Sequence, residues 1–307
     1  MQIEARSRIV RDGFWQRLVH GVRRVHERPR WSSFAGADWA EHIMQVPVTD
    51  RFHAKQGRSI GRWVLDADGQ RLVVYLKRHY RLPRWLGLMA TIHPSAGWSP
   101  AVQEWKHLAW AQAGGMPVPE AVASGEYIGP WGRLQSFLAV EELTGMLPLH
   151  EAIPAAYHTL DPASFTHWKR GLIAEMAGIV GALHSRRWFH KDLYFCHFYI
   201  AESDTRTLPD WRGRVRMIDF HRLGQHRWTW PIWQGKDLAQ LLYSSAVEGV
   251  TPRDRLRFWK SYRLMRSSGL YARWLAWYVG MKARRYHRHN RGEGIPAREQ
   301  DQEKEKE

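Results

Sequence analysis

Apolar positions recur along this chain with two different periods. From Phe52 they follow a strand pattern. Gly61-Arg62-Trp63-Val64-Leu65 leads to Asp66-Ala67-Asp68-Gly69, and Leu72-Val73-Val74-Tyr75-Leu76-Lys77 runs back. An Asp-Gly step between two such runs predicts a β-hairpin, with Lys77 near the end of its second strand. Residues 101–113 change to helical spacing through Val102, Trp105, Leu108 and Ala109, and Gly114-Gly115 ends the helix. Pro117 to Tyr127 leads into a strand. Leu134 to Val140 is an apolar strand, followed by Glu141-Glu142-Leu143-Thr144-Gly145. Residues 164–185 give the clearest helix, with Leu172, Ile173, Met176, Ile179, Val180 and Leu183 on one face. After Ile200 the polar stretch Ser203 to Gly213 predicts a loop between two short strands, the second being Val215 to Phe220. From Lys236 the chain reads as helical, with breaks at Gly249 to Pro252 and near Gly269. The first 45 residues are basic and Trp-bearing, and predict a short helix or two interrupted at Arg28-Pro29-Arg30-Trp31. No internal repeat is present. The polar tail from Arg291 to Glu307 is expected to be disordered.

Composition narrows the class. The 307 residues are 44% hydrophobic and 25% charged, ordinary for a globular protein with ample core. Eighteen tryptophans and a formal charge of +16 are not ordinary. That charge favours a polyanionic partner: nucleic acid, an anionic membrane surface or a phosphorylated glycolipid. The single cysteine, Cys196, excludes an internal disulfide and fits a reducing compartment. A small buried residue is its expected role, with a catalytic thiol as the alternative. The N-terminus lacks the apolar stretch of a signal peptide, and no run approaches 18 apolar residues. A cytoplasmic protein is expected, with any membrane contact peripheral.

The chemistry gathers in His190-Lys191-Asp192-Leu193-Tyr194-Phe195-Cys196-His197-Phe198 and, 27 residues after Asp192, in Asp219 of Ile218-Asp219-Phe220-His221-Arg222. The first run is similar to the catalytic loop of a kinase fold, where an Asp takes the acceptor proton and a residue five positions on helps hold the metal. That later residue is Asn in protein kinases and His197 here. Together the two segments resemble the lipopolysaccharide kinase (Kdo/WaaP) family, whose members phosphorylate sugars of the lipopolysaccharide inner core. The resemblance spans about residues 51–265.

It implies an α+β, bilobal protein-kinase-like fold: a small antiparallel β-sheet lobe with one main helix, and a larger, mostly helical lobe. Residues 1–50 would be a basic extension, 51–144 the small lobe, 145–290 the catalytic lobe and 291–307 the tail. ATP and Mg²⁺ are the implied cofactors. Lys77 would reach the α/β-phosphates, and Glu104 would hold that lysine. Asp192 would be the base, orienting the acceptor hydroxyl and taking its proton late, since an unperturbed carboxylate is a weak base. Asp219 would bind Mg²⁺. His197 is the awkward position, because Mg²⁺ prefers oxygen ligands; a phosphate oxygen or a metal-bound water are its other targets. Glu141 and Leu143 would present hinge backbone to an adenine ring. Gly57 and Gly61, in Gln56 to Arg62, would form a phosphate-covering loop, though with two glycines where a kinase loop has three. His190 and Asp237 are expected to brace the catalytic loop. His150, His184, His287 and His289 lack zinc spacing.

The implied substrate is a lipopolysaccharide core or lipid-linked sugar. Residues 251–290 carry eleven Lys/Arg against one acid, Asp254, with interleaved aromatics. This suits anionic headgroups, or simply a solvated basic face. Three rivals stand beside this: a kinase acting on another hydroxyl, a catalytically dead fold, and an Arg/Trp-rich nucleic-acid binder. The last explains the charge but not the ordered motifs, so nucleic acid is not the expected partner.

Overall fold

A computed structural model of the chain describes residues 6–8, 13–53, 57–264 and 269–292. The expectation of disorder over 293–307 lies outside the described residues, as does Gln56 of the glycine loop. The chain divides into two compact units, Met1–Thr144 and Gly145–Glu307.

The first unit contains β1 (Arg6–Arg8), α1 (Phe14–Val19), β2 (Val22–Glu27), α2 (Trp31–Ala35), α3 (Trp39–His42), β3 (Thr49–His53), β4 (Arg58–Ala67), β5 (Gln70–His79), α4 (Arg84–Ile92), α5 (Pro100–Ala113), β6 (Ala121–Ile128) and β7 (Leu134–Glu141). Its seven strands form one antiparallel sheet in the order β1-β2-β6-β7-β5-β4-β3. The β4–β5 turn is the predicted hairpin, with Asp68 and Gly69 both left-handed (φ 50° and 74°). Alternation along β5 buries Leu72, Val74 and Leu76 in a core shared with Trp31, Trp39, Ile43 and Phe137. Lys77 therefore projects from the opposite face. The helix α5 packs against β5, β6 and β7. Ser99 caps it by accepting from the Val102 N–H at 3.3 Å, Pro100 fills its first position and Gly114 ends it.

Residues 13–48 are not an appendage. β2 pairs with β6 over six residues, and Trp31 is fully buried in the core. A polar-basic strand such as Val22-Arg23-Arg24-Val25-His26-Glu27 hides its alternation, because Glu27 is an inward residue. Its carboxylate is buried and accepts from Ser32 Oγ (2.5 Å) and Trp39 Nε1 (3.1 Å). The helix α4 was also not predicted from the sequence.

The second unit contains β8 (Met146–Pro148), α6 (Leu149–Thr159), α7 (Pro162–Ser185), β9 (Trp188–Phe189), β10 (Phe198–Ala201), β11 (Arg216–Met217), β12 (Gly224–Gln225), α8 (Trp230–Ser244), α9 (Pro252–Leu264) and α10 (Leu270–Gly292). Asp161 caps α7 by accepting from the Ala163 and Ser164 N–H groups at 3.0 Å. The predicted apolar stripe of α7 is buried, together with Trp168. The helix expected from Lys236 begins six residues earlier, at Trp230, with Pro231 in its first turn. Its Trp-rich start hid it. Asp237 consequently lies inside the helix and does not open it. Among the described residues no helix is long and apolar enough to cross a membrane.

Candidate active site

In the first unit, Lys77 Nζ donates to Glu104 Oε1 at 2.7 Å. The strand fixes the lysine's face and α5 delivers the carboxylate, which is almost fully buried. A buried carboxylate favours a charge partner, and the pair aims the ammonium. Gly57 sits in the turn before β4 with φ +56°, and a Cβ there would press on Arg81. Gly61 is not in a loop. It lies inside β4, paired with Asp50 on one side and Leu76 on the other. The expected loop over residues 56–62 is thus strand from Arg58 onward, because Ser59 and Gly61 alternate inward with Arg58 and Arg62 outward. Glu141 ends β7. Its N–H donates to the Glu120 carbonyl at 2.8 Å, and its side chain pairs with Arg30. Leu143 follows in coil and makes no hydrogen bond among the described residues.

The second unit holds the remaining candidates on irregular backbone. Lys191 and Asp219 are both left-handed (φ 68° and 66°), a conformation that costs about 1–3 kcal/mol per residue and persists only when its surroundings enforce it. The enforcement comes from one face of α8. Asp237, fully buried, accepts from the His190 N–H through Oδ2 and from the Lys191 N–H through Oδ1, both at 2.8 Å. Gln240 accepts from the Leu193 N–H at 3.1 Å and donates to the Lys191 carbonyl at 3.1 Å. Ser244 Oγ accepts from the Phe195 N–H at 3.0 Å. The bracing role expected of Asp237 is what its contacts show. Gln240 and Ser244 were missed, although polar residues at i, i+3 and i+7 on a helix with apolar neighbours mark a buried polar face. Behind Asp237 stands His184, whose Nε2 lies 3.2 Å from Oδ2 and whose Nδ1 lies 2.8 Å from the Tyr262 hydroxyl.

Two histidines fix the loop from within. Burial pushes the His190 pKa down, so its ring is neutral; Nε2–H donates to the Ile218 carbonyl at 2.9 Å, which sets the tautomer. The ring stacks on His197 at 5.7 Å. His197 Nδ1 donates to the Asp192 carbonyl at 2.6 Å, leaving Nε2 aimed at Asp219 Oδ2, 3.7 Å away. Burial opposes charge on His197, but the Cys196 sulfur, the Asp192 carbonyl and the Asp219 carboxylate outweigh it, and its pKa lies above the usual histidine value. Cys196 is half-buried, not fully enclosed.

The Asp192 carboxylate is not open. Arg222 Nη1 donates to both its oxygens, at 3.0 and 3.1 Å. Asp219 receives a second histidine, His221, whose Nδ1 lies 2.7 Å from Oδ1. Neither partner was assigned a role from the sequence. Lys191 Nζ lies 4.9 Å and Lys236 Nζ 4.2 Å from the Trp233 ring centroid, on which His226 also stacks. Burial, with Arg222 and Lys236 nearby, lowers the Lys191 pKa.

Among the described residues no group of three or more His, Cys, Asp or Glu side chains is placed to cage a metal ion. One carboxylate completed by substrate phosphates and water is a usual magnesium arrangement, and Asp219 fits it. An imidazole biased toward its protonated form fits a phosphate oxygen better than a metal ion.

Residues 49–262 match the model of the lipopolysaccharide kinase (Kdo/WaaP) family. The lipopolysaccharide core heptose(I) kinase WaaP of Pseudomonas aeruginosa is 31% identical over 190 residues, covering 57% of this chain and 69% of that protein. Its Escherichia coli K12 counterpart is 31% identical over 163 residues, covering 53% and 59%. A solved structure of WaaP in complex with acyl carrier protein superposes with a TM-score of 0.62 at 27% identity, covering 84% of this chain and 97% of that one.

Proposed function

This chain belongs to the lipopolysaccharide kinase (Kdo/WaaP) family, and we propose that it phosphorylates the first heptose of the core, with Asp192 as the base. ATP-dependent transfer to a sugar hydroxyl of the lipopolysaccharide inner core is the activity of the family and of its named relatives. The assignment of residues rests on one observation above all: Asp192 sits on a strained loop whose backbone is held by buried side chains of α8. Such rigidity is what phosphoryl transfer asks of a protein, since its catalysis is mostly positioning and charge stabilisation.

Lys77, held by Glu104, steadies the α/β-phosphates. Gly57 leaves the turn before β4 free of side-chain bulk beside the nucleotide, whereas Gly61 lies on the same face as Leu76, away from Lys77; Glu141 and Leu143 offer backbone groups to the nucleotide's base. Asp219 would hold Mg²⁺, which would shield the charge on the triphosphate. His197 Nε2, which faces Asp219, is placed toward a phosphate oxygen or a metal-bound water. Arg222 keeps the Asp192 carboxylate oriented, and must yield one oxygen to the acceptor hydroxyl. Lys191 and Lys236, set against the Trp233 ring, suit an anionic sugar. The acceptor is lipid-linked, so the enzyme works peripherally at an anionic membrane on the cytoplasmic side, where the basic, acid-poor surface of α9 and α10 supports attraction.

The test is transfer from labelled ATP to a panel of deacylated core oligosaccharides, read by mass spectrometry. Asp192→Ala is expected to abolish transfer while nucleotide binding survives. Transfer by that variant at the wild-type rate would remove Asp192 from the mechanism.

A second reading concerns a partner. A cavity of about 230 Å³ in the second unit is lined almost wholly by apolar side chains, among them Ile173, Met176, Leu241, Phe258, Trp259 and Val279. With a solved relative described in complex with acyl carrier protein, this supports docking of such a carrier here, its acyl chain in the cavity. Co-purification with acylated but not unacylated carrier tests it.

A further inference from the structure

We infer that the first unit carries its own bilayer-docking surface, built from α1, α4 and the turn Pro130–Gly132. This rests on the membrane-linked acceptor proposed above, but assigns the contact to a surface on which the sequence placed no function. The three segments pack against one another. Arg17 Nε donates to the Thr91 carbonyl at 2.9 Å, tying α1 to α4. A Cβ on Gly87 would collide with the Gly132 carbonyl, and one on Gly132 would meet Leu88 at 2.9 Å, so helix and turn are in close contact.

What they leave outside is apolar. Trp15 is 72% exposed, Trp85 60% and Trp131 65%, with Phe14, Val19, Leu88 and Ile92 also exposed. Trp85, Leu88 and Ile92 share one face of α4 at i, i+3 and i+7, while Gly87, Ala90 and Thr91 are the buried side. Trp131 is held outward at the tip of the turn with φ 55°. An exposed patch of this kind marks an interaction site.

Charge decides the occupant. Gly13–His20, Arg81–Trp98 and Gly129–Arg133 contain no Asp or Glu, although the chain has 30. Arg81, Arg84 and Arg133 are exposed and pair with no carboxylate among the described residues. Tryptophan and aliphatic groups accompanied by arginines that meet no carboxylate among the described residues match the boundary between acyl chains and anionic headgroups, where Trp is enriched and each cation adds attraction.

The experiment is sedimentation of the full chain with vesicles of phosphatidylethanolamine and phosphatidylglycerol, and with neutral phosphatidylcholine vesicles. The wild type is expected to bind the anionic vesicles. The Trp85→Ser/Trp131→Asn variant should lose about tenfold in partitioning; both sites are exposed, and Asn tolerates the left-handed backbone. Arg84→Glu/Arg133→Glu should lose the preference for anionic vesicles. Trp274→Ser/Trp277→Ser on α10 should retain most binding. Transfer to a deacylated, soluble oligosaccharide should be unchanged in every variant, and this arm reports the kinase assignment separately from the docking surface. Wild-type failure to bind, equal binding by the Trp85/Trp131 variant, or loss only in the α10 variant would overturn the inference. So would a dimer in size-exclusion chromatography that the Trp85/Trp131 change dissolves without altering vesicle binding.

Discussion

The proposed phosphate clamp of the first unit and the proposed catalytic loop of the second hold their candidate groups by opposite means. Lys77 stands on a strand paired with β4 and β7, and its side chain is aimed by Glu104. Asp192 stands on a loop with no ladder. Its neighbours' N–H and C=O groups are met by Asp237, Gln240 and Ser244 from α8, and its own carbonyl by His197. A group on regular structure inherits its position from the sheet. A group on a loop depends on buried polar side chains, each of which is expensive to leave unpaired. Damage to the clamp should therefore be chemical, whereas damage to the bracing should reach the fold.

The largest effect is expected at Asp237. Asp237→Ala removes the acceptor for two backbone N–H groups and the neighbour of His184 in a fully buried site. A loss of about 3–5 kcal/mol should follow, enough to unfold many domains. Urea unfolding checks it, and a loss under about 1 kcal/mol would erase the contrast. Lys77→Met is the counterpart. Transfer should fall by on the order of 100-fold, while the urea midpoint falls less than for Asp237→Ala, because Lys77 is partly open to water and no backbone group is left stranded. If that variant unfolds instead, the clamp is as structural as the loop. Gln240→Leu lies between them. It strands the Leu193 N–H and the Lys191 carbonyl, for a loss of about 1–3 kcal/mol with a matching fall in transfer.

The same contrast explains what the sequence disclosed. The candidate run stood out because its chemistry-bearing groups are contiguous, and the hairpin because its Asp-Gly turn and alternation are local. Lys77 and Glu104 followed from element order. The braces did not, since Gln240 and Ser244 read as ordinary helix polars until the loop is seen against them. Arg222 and His221 escaped because their partners lie 30 and 2 residues away across a bend that no periodicity describes. In the first unit, β2 was lost because a buried Glu27 breaks the apolar pattern, and α4 because its outer face is itself apolar. A helix with Trp85, Leu88 and Ile92 facing outward does not show the one-sided stripe that marks a surface helix.

The smallest effect asks whether polar bracing belongs to the loop alone or to the second unit as a whole. Lys169 on α7 donates to Asp254 at 2.7 Å, and Asp254 also accepts from the Thr251 N–H and hydroxyl at the start of α9. Burial would raise the Asp254 pKa, but the Lys169 and Thr251 hydrogen bonds prevail and hold it below the usual carboxylate value. A carboxyl with a depressed folded-state pKa stabilises fully above its unfolded value, near 4, and loses that contribution as pH falls through the folded value. The urea midpoints of wild type and Asp254→Asn should thus differ at pH 7 and converge below about pH 4. Transfer at pH 7 should be nearly equal, because the pair lies away from Asp192's own contacts. A midpoint gap that stays constant down to acid pH would mean that the Asp254 charge contributes nothing. Bracing by buried charge would then be confined to the loop.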